Sequence, residues 1–311
     1  MMSRRIATAA LALAALAFAT APAAQTMNEF DLRGALVDPS EIHQGGPPKD
    51  GIPAIDRPRF VSPAQAKLTP GDRILGVVLN GVAKAYPVRI LNWHEVVNDE
   101  VGGVPVAVTY CPLCGSGMTF AASVDGRARS FGVSGLLYNS DVLLYDRETG
   151  SLWSQLLAKA VTGPAKGATL EMLATTHTSW EDWRTRHPGT LVLSEDTGYA
   201  RDYSRDPYAG YDANPVILFP VANASVRFDS KAVVLGIELG GRLKAYPFAE
   251  LTKTEGTVTD TIGGRKVRIE YDPRHRTARA LDASGKELPS VTSYWFAWYA
   301  FYPTTEVFYA K

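Results

Sequence analysis

The sequence predicts an α+β, β-rich fold made of two pseudo-symmetric repeats, the first carrying an insertion of about 46 residues. Three internal matches predict it. "LGVVLNGVAKAYP" at Leu75–Pro87 recurs as "LGIELGGRLKAYP" at Leu235–Pro247. "GGVPVAVTYCP" at Gly102–Pro112 is answered by "GGRKVRIEYDP" at Gly263–Pro273. "SWEDWRTRHPGTLVL", from Ser179, is answered by "YWFAWYAFYPTTEVF", from Tyr294, with Trp180 on Trp295, Trp183 on Trp298 and Pro188 on Pro303. The first copy is the longer between the last two matches, so a segment running roughly from Phe131 to His177 belongs to it alone.

Residues 1–23 read as a signal peptide outside the fold. Arg4 and Arg5 form a charged start, Ile6–Phe18 is an Ala/Leu-rich stretch too short to span a bilayer, and Ala21-Pro22-Ala23 offers small residues for cleavage. Cleavage near Ala23 predicts export, to a periplasmic or secreted location. No later segment offers about 18 unbroken apolar residues, so no transmembrane helix is expected in the mature chain. Residues 24–73 hold many prolines and glycines and read as an extended segment draped over the surface without a core of its own.

The first repeat occupies residues 74–193. Its opening runs, Ile74–Leu79 and Val82–Tyr86, flank Asn80-Gly81, the strongest short hairpin signal; Gly240-Gly241 takes that place in the second copy. Pro87 suits the first turn of a short helix towards Trp93, because its missing N–H would be unpaired there in any case. Gly102-Gly103 precedes an apolar strand, Val104–Tyr110, and Asp125-Gly126 marks another hairpin. Trp180–Arg186 reads as a short helix ended before Pro188. Residues 194–233 form a connector whose "DYSRDPYAGYDANP", Asp202–Pro215, is expected to pack its tyrosines between the repeats, the alternative being that they line a pocket. Residues 234–311 are the second, degenerate repeat.

The chain of 311 residues has 32 Lys plus Arg against 32 Asp plus Glu, so it lacks the basic footprint of a nucleic-acid binder. A small molecule or an exported protein is the partner that this balance allows.

Cys111 and Cys114, in "TYCPLCGSG", are the only cysteines and lie just past the end of a predicted strand. The second copy carries Asp272 and His275 in their place. A unit that folds without the sulfurs does not need them for its architecture, so they belong to a site. Three readings follow. In the first, the two thiolates on one turn bind a soft metal, zinc or copper, with His94 of "NWHEVVND" brought back towards them by the chain reversal and an open position left for a small ligand. The second copy has Thr254 at that position. Glu95 or Asp146 is then the candidate general base for metal-assisted chemistry. The match of Glu95 to Glu255 argues instead for a structural carboxylate, and Asp146 sits in "YDRETGSLWSQ", which a strand, a turn and a strand explain equally well. In the second reading the pair is a periplasmic thiol–disulfide couple, although Gly115-Ser116-Gly117 makes a poor helix start for activating a thiol. In the third a disulfide staples the turn of a non-enzymatic interaction module. Sequence leaves the three side by side, and with them the question of enzyme or binding protein.

Taken together, "NWHEVVND", "TYCPLCGSGMTF", "GVSGLLYNSDVLLYDRETGSLWSQ" and the "W..WR..HP.T" segment resemble a family of exported bacterial and archaeal proteins known only as a domain of unknown function. The resemblance covers most of the mature chain. It implies kinship and brings no established activity.

Overall fold

Asn80 and Gly81 both take left-handed φ, 48° and 79°, and close a hairpin between strands Arg73–Leu79 and Val82–Pro87. In the computed structural model, which describes residues 26–311, this hairpin anchors a five-stranded sheet. Thr176–Ser179 pairs with its first strand, and Leu191–Leu193 lies parallel to its second. The later sheet is laid out in the same order: hairpin Val233–Leu239 with Arg242–Pro247, antiparallel Val291–Tyr294 outside the first strand, parallel Glu306–Val307 outside the second. The expected signal peptide lies outside the described residues.

The shared Lys-Ala-Tyr-Pro ending has a structural use. Lys84 Nζ donates to Asp99 Oδ2 at 2.8 Å and the Tyr86 hydroxyl donates to the same atom at 2.6 Å. Lys244 pairs with Asp260 at 2.7 Å and the Tyr246 hydroxyl donates to Asp260, also at 2.7 Å. The lysine stem thus runs inward to meet a carboxylate on the next hairpin.

The tryptophans are equally local in cause. Helices Trp180–Arg186 and Trp295–Phe301 each bury two indoles against a hairpin. Gly76 and Gly236 make room for them: a Cβ added at either would come within 2.3 Å of the Trp183 or Trp298 ring. Each of these indoles donates to a threonine hydroxyl, Thr190 or Thr305, at 3.0 Å. His187 packs on Trp183 with centroids 4.1 Å apart and Tyr302 on Trp298 at 4.4 Å.

Among the described residues, 40% lie in strands and 10% in helices. The chain is therefore β-rich, with four short α-helices among the described residues. Helix Val88–His94 begins just after Pro87, as its missing N–H requires. None of the helices is long and apolar enough to cross a membrane.

The N-terminal segment departs from expectation. It lends Ile42–Gln44 to the edge of one sheet and Phe60–Val61 to the edge of another. Phe30, Leu32 and Ile42 are buried with Leu136, Leu143 and Tyr145. Prolines and glycines kept its strands short but did not keep it outside the core. The segment after Phe131 folds as Phe131–Tyr138, Asp141–Asp146, Leu152–Ser154 and Lys159–Ala160, one sheet completed by Ile42–Gln44.

Candidate metal centre

The turn that carries the cysteines follows from four residues. Strand Val104–Cys111 pairs with Ser116–Ala121, and the Cys114 N–H closes back on the Cys111 carbonyl at 3.2 Å. Proline suits the second position of such a turn because its φ is preset, and Gly115 follows at φ 60°. A Cβ on Gly115 would press on the Tyr294 ring at 3.0 Å. The Tyr294 N–H in turn donates to the Cys114 carbonyl at 2.8 Å, so the last sheet holds the turn in place.

Opposite the turn, Asn139 and Ser140 take left-handed φ of 51° and 66° between strands Phe131–Tyr138 and Asp141–Asp146. That two-residue turn aims the Ser140 carbonyl at both sulfurs, 3.9 Å from Cys111 and 3.4 Å from Cys114. It also delivers Asp141. One carboxylate oxygen accepts from the Leu156 N–H at 3.0 Å; the other is buried without a partner. Cys111 Sγ, Cys114 Sγ and an Asp141 oxygen all lie within 4.8 Å of one another, and all three residues are buried. This group could hold a metal ion.

Glu95 completes the cluster of acids. It caps helix Val88–His94 in the left-handed conformation, φ 57°, and its side chain turns inward. Burial first, then the neighbouring Asp141, push its carboxyl up to about 8. Burial pushes Asp141 up to about 7. Both thiols are raised as well, chiefly by burial, and Asp141 adds to each shift. No lysine or arginine offsets the two carboxyl shifts. Four acids therefore share one buried space whose charged forms repel one another.

Of the residues singled out in the sequence, the structure brings Cys111 and Cys114 together, with Glu95 buried near enough for its charge to raise the Cys111 thiol. His94 goes elsewhere. Its Nδ1 lies 2.7 Å from the Pro53 carbonyl, which can only accept, so that nitrogen carries the proton; Nε2 then accepts from the Tyr203 hydroxyl at 2.7 Å. With both nitrogens engaged, the ring is a strut between the N-terminal segment and the connector. Asp146 is spent on its own turn and on Trp153, accepting from the Thr149 N–H at 2.7 Å and from the indole at 2.8 Å. It stands five residues from Asp141, an odd number, and so faces the other side of the strand.

The pairing of Glu95 with Glu255 is shifted by one residue. The Tyr110 N–H donates to the Glu95 carbonyl at 2.8 Å, and the matching bond in the later hairpin runs from the Tyr271 N–H to Gly256 at 2.7 Å. Gly256, φ 84°, is the counterpart, and Glu255 is exposed. A glycine takes this conformation at no steric cost, whereas glutamate bears about 1 kcal/mol or more. Glu95 is therefore held in its buried position against backbone preference. Asp272 and His275 of the later turn make ordinary contacts, Asp272 with the Arg274 N–H and His275 with the Ser179 hydroxyl.

Asp141 was missed by sequence reasoning. The signal was present: Asn139 starts a two-residue gap between two apolar runs.

A family model described as "Protein of unknown function (DUF3179)" matches residues 49–305. The chain belongs to this family. The matched region contains the Cys-x-x-Cys turn, Glu95 and Asp141. No curated protein and no solved structure matches the chain.

Proposed function

We propose that this DUF3179 chain is an exported protein that binds one zinc ion through Cys111, Cys114 and Asp141, with Glu95 alongside as a proton-holding group. The observation that carries the reading is the buried convergence of three metal-compatible donors within 4.8 Å, one oxygen of the third lacking any partner. Unpaired buried acids are costly, and a divalent cation offsets that cost by selecting their ionised forms. Two sulfurs admit zinc or copper(I); the carboxylate, a harder donor, favours zinc. Three protein ligands match the catalytic pattern, in which the fourth position stays open. Zinc so held would supply a Lewis acid, and Glu95 is placed to hold or accept a proton.

The proposal includes the duplication. The two hairpin–helix sheets of like order, the paired Lys–Asp–Tyr contacts and the Gly–Trp packings support a unit used twice, with the acid cluster in the earlier one only. Export rests on the leader-like residues 1–23.

The redox reading has less support. Strand Ser116–Ala121, not a helix, follows the turn, and burial raises both thiols where a reactive cysteine needs its thiolate stabilised.

Elemental analysis of purified protein after zinc loading and dialysis tests the proposal. Near-stoichiometric zinc is expected in the wild type, with loss in Cys111→Ser and marked weakening in Asp141→Asn. Cobalt(II) in its place should give thiolate-to-metal absorption. A chain that retains no metal, or a Cys111→Ser variant that retains it fully, overturns the reading. A readily reduced disulfide in the metal-free wild type would favour the redox alternative.

A further inference from the structure

Beyond the turn lies a cavity of about 280 Å³, bordered by Pro112 and Gly115 on one side and by strand residues Thr292–Tyr294 on another. We propose that it binds a small aromatic carboxylate, the carboxylate held by Arg73 and Arg276 and the ring set among Tyr110, Tyr208 and Tyr294. The inference goes beyond the metal reading and stands on separate groups.

Cations dominate one end of the cavity. Arg73 is fixed by three backbone carbonyls: His275, at 2.5 Å, and His177 and Arg276, each at 3.1 Å. A guanidinium has five N–H donors, so two remain for a ligand. Burial, then the like charge of Arg276, lowers Arg73 to about 10, which leaves it a cation at neutral pH. Carbonyl dipoles orient this charge without neutralising it. Arg276 lines the same end, and its exposed side chain enters no ion pair or hydrogen bond among the described residues. Beside them, His177 Nδ1 is buried with no partner. Two neighbouring cations, neither of them in an ion pair with a carboxylate among the described residues, form a ready seat for one, in the bidentate manner that guanidinium favours.

Aromatic surface for the ligand's body lies alongside these cations, the Tyr110 ring standing edge-on to His177 with centroids 6.1 Å apart. Tyr110, Tyr208, Tyr211 and Tyr294 line the walls, and the Tyr211 hydroxyl is buried without a partner. Lys231 Nζ sits 3.1 Å from the Tyr211 ring centroid and donates to the Tyr211 carbonyl at 2.5 Å, so its charge is directed at the connector. Asp206 and Asp212 also border the cavity. Asp206 is occupied by Asn92 and by the Tyr208 N–H, both at 2.9 Å, and Asp212 by the Ala213 N–H at 2.9 Å. A dianion as strongly hydrated as phosphate would meet these carboxylates; a monoanion with a flat apolar body meets the rings. The small volume limits the ligand to about one ring and its substituents.

Calorimetric titration of benzoate, acetate and inorganic phosphate into metal-free and zinc-supplied protein tests the proposal. Benzoate should bind the wild type, with acetate and phosphate at least about tenfold weaker, because acetate lacks the ring and phosphate meets the acids. Arg276→Ala removes an exposed side chain without hydrogen bonds, so the variant should fold, and benzoate affinity should fall about tenfold or more. Absence of benzoate binding, equal binding of acetate or phosphate, or an unchanged Arg276→Ala variant each overturns the inference. Benzoate bound by protein that takes up no zinc would retain this site and remove the metal proposal; zinc uptake without benzoate binding would do the reverse.

Discussion

Glu95 and Asp141 are carboxylic acids in a place where water cannot solvate their charge, and this has a consequence for stability. Their folded-state values, about 8 and about 7, lie above the ordinary carboxylate range. A group raised on folding contributes stability below its unfolded value, and that contribution is lost as pH rises through its folded one. Metal-free protein should therefore weaken between about pH 5 and pH 8, by on the order of a few kcal/mol. Glu95→Gln should flatten that slope. Zinc should reverse it, since the ion needs the deprotonated ligands and binds better as pH rises. Urea denaturation at several pH values, with and without zinc, checks all three; a metal-free wild type with a slope equal to that of Glu95→Gln removes Glu95 from the account. At this scale the sequence was half legible. Cys111 and Cys114 stood out because a matching turn lacks them. His94 and Glu95 were both visible, but their roles depend on which way a left-handed cap throws adjacent side chains. One residue of register separates the strut from the site, and spacing alone does not resolve it.

Hairpins and their short helices were the easiest elements to read. Asn-Gly and Gly-Gly turns, proline at a helix start and tryptophans at helical spacing each have a local cause, so Val82–Pro87, Val88–His94 and Trp180–Arg186 fall close to expectation. What a repeated Lys-Ala-Tyr-Pro does was not legible, because its partners Asp99 and Asp260 sit on the following hairpin. Lys84→Met should leave Asp99 buried without its counter-charge and cost about 3–5 kcal/mol. Lys244→Met should cost less, because the Lys244–Asp260 pair is more exposed, its side chains 16% and 20% accessible against 10% and 8% for Lys84–Asp99. Equal losses on denaturation would show that burial of the pair does not set its worth. The N-terminal strands escaped prediction for the opposite reason: two- and three-residue strands carry too little alternation to reveal a face.

Across the whole molecule, Cys111 and Cys114 lie within the largest apolar cluster among the described residues, which joins Phe131 and Trp153 to Val234, Trp295 and Trp298 from the later hairpin and its helix. The N-terminal segment closes the far edge of the sheet begun by Phe131–Tyr138 through Ile42–Gln44. Removing residues 1–44 should expose that edge and the apolar face over Leu136 and Leu143, giving a poorly soluble product with little zinc retained, as judged by sedimentation and metal analysis. Soluble, zinc-binding protein from that truncation would show the segment to be an accessory. Neither the edge nor its cover was visible in the sequence, since both depend on pairing between distant stretches. The bond from the Tyr294 N–H to the Cys114 carbonyl carries one more implication. A turn made early in the chain is fastened by a strand made near its end, so no fragment ending before that strand owns a finished pocket. Such a fragment would lack both the Tyr294 wall of the cavity and the clasp on the Cys114 carbonyl.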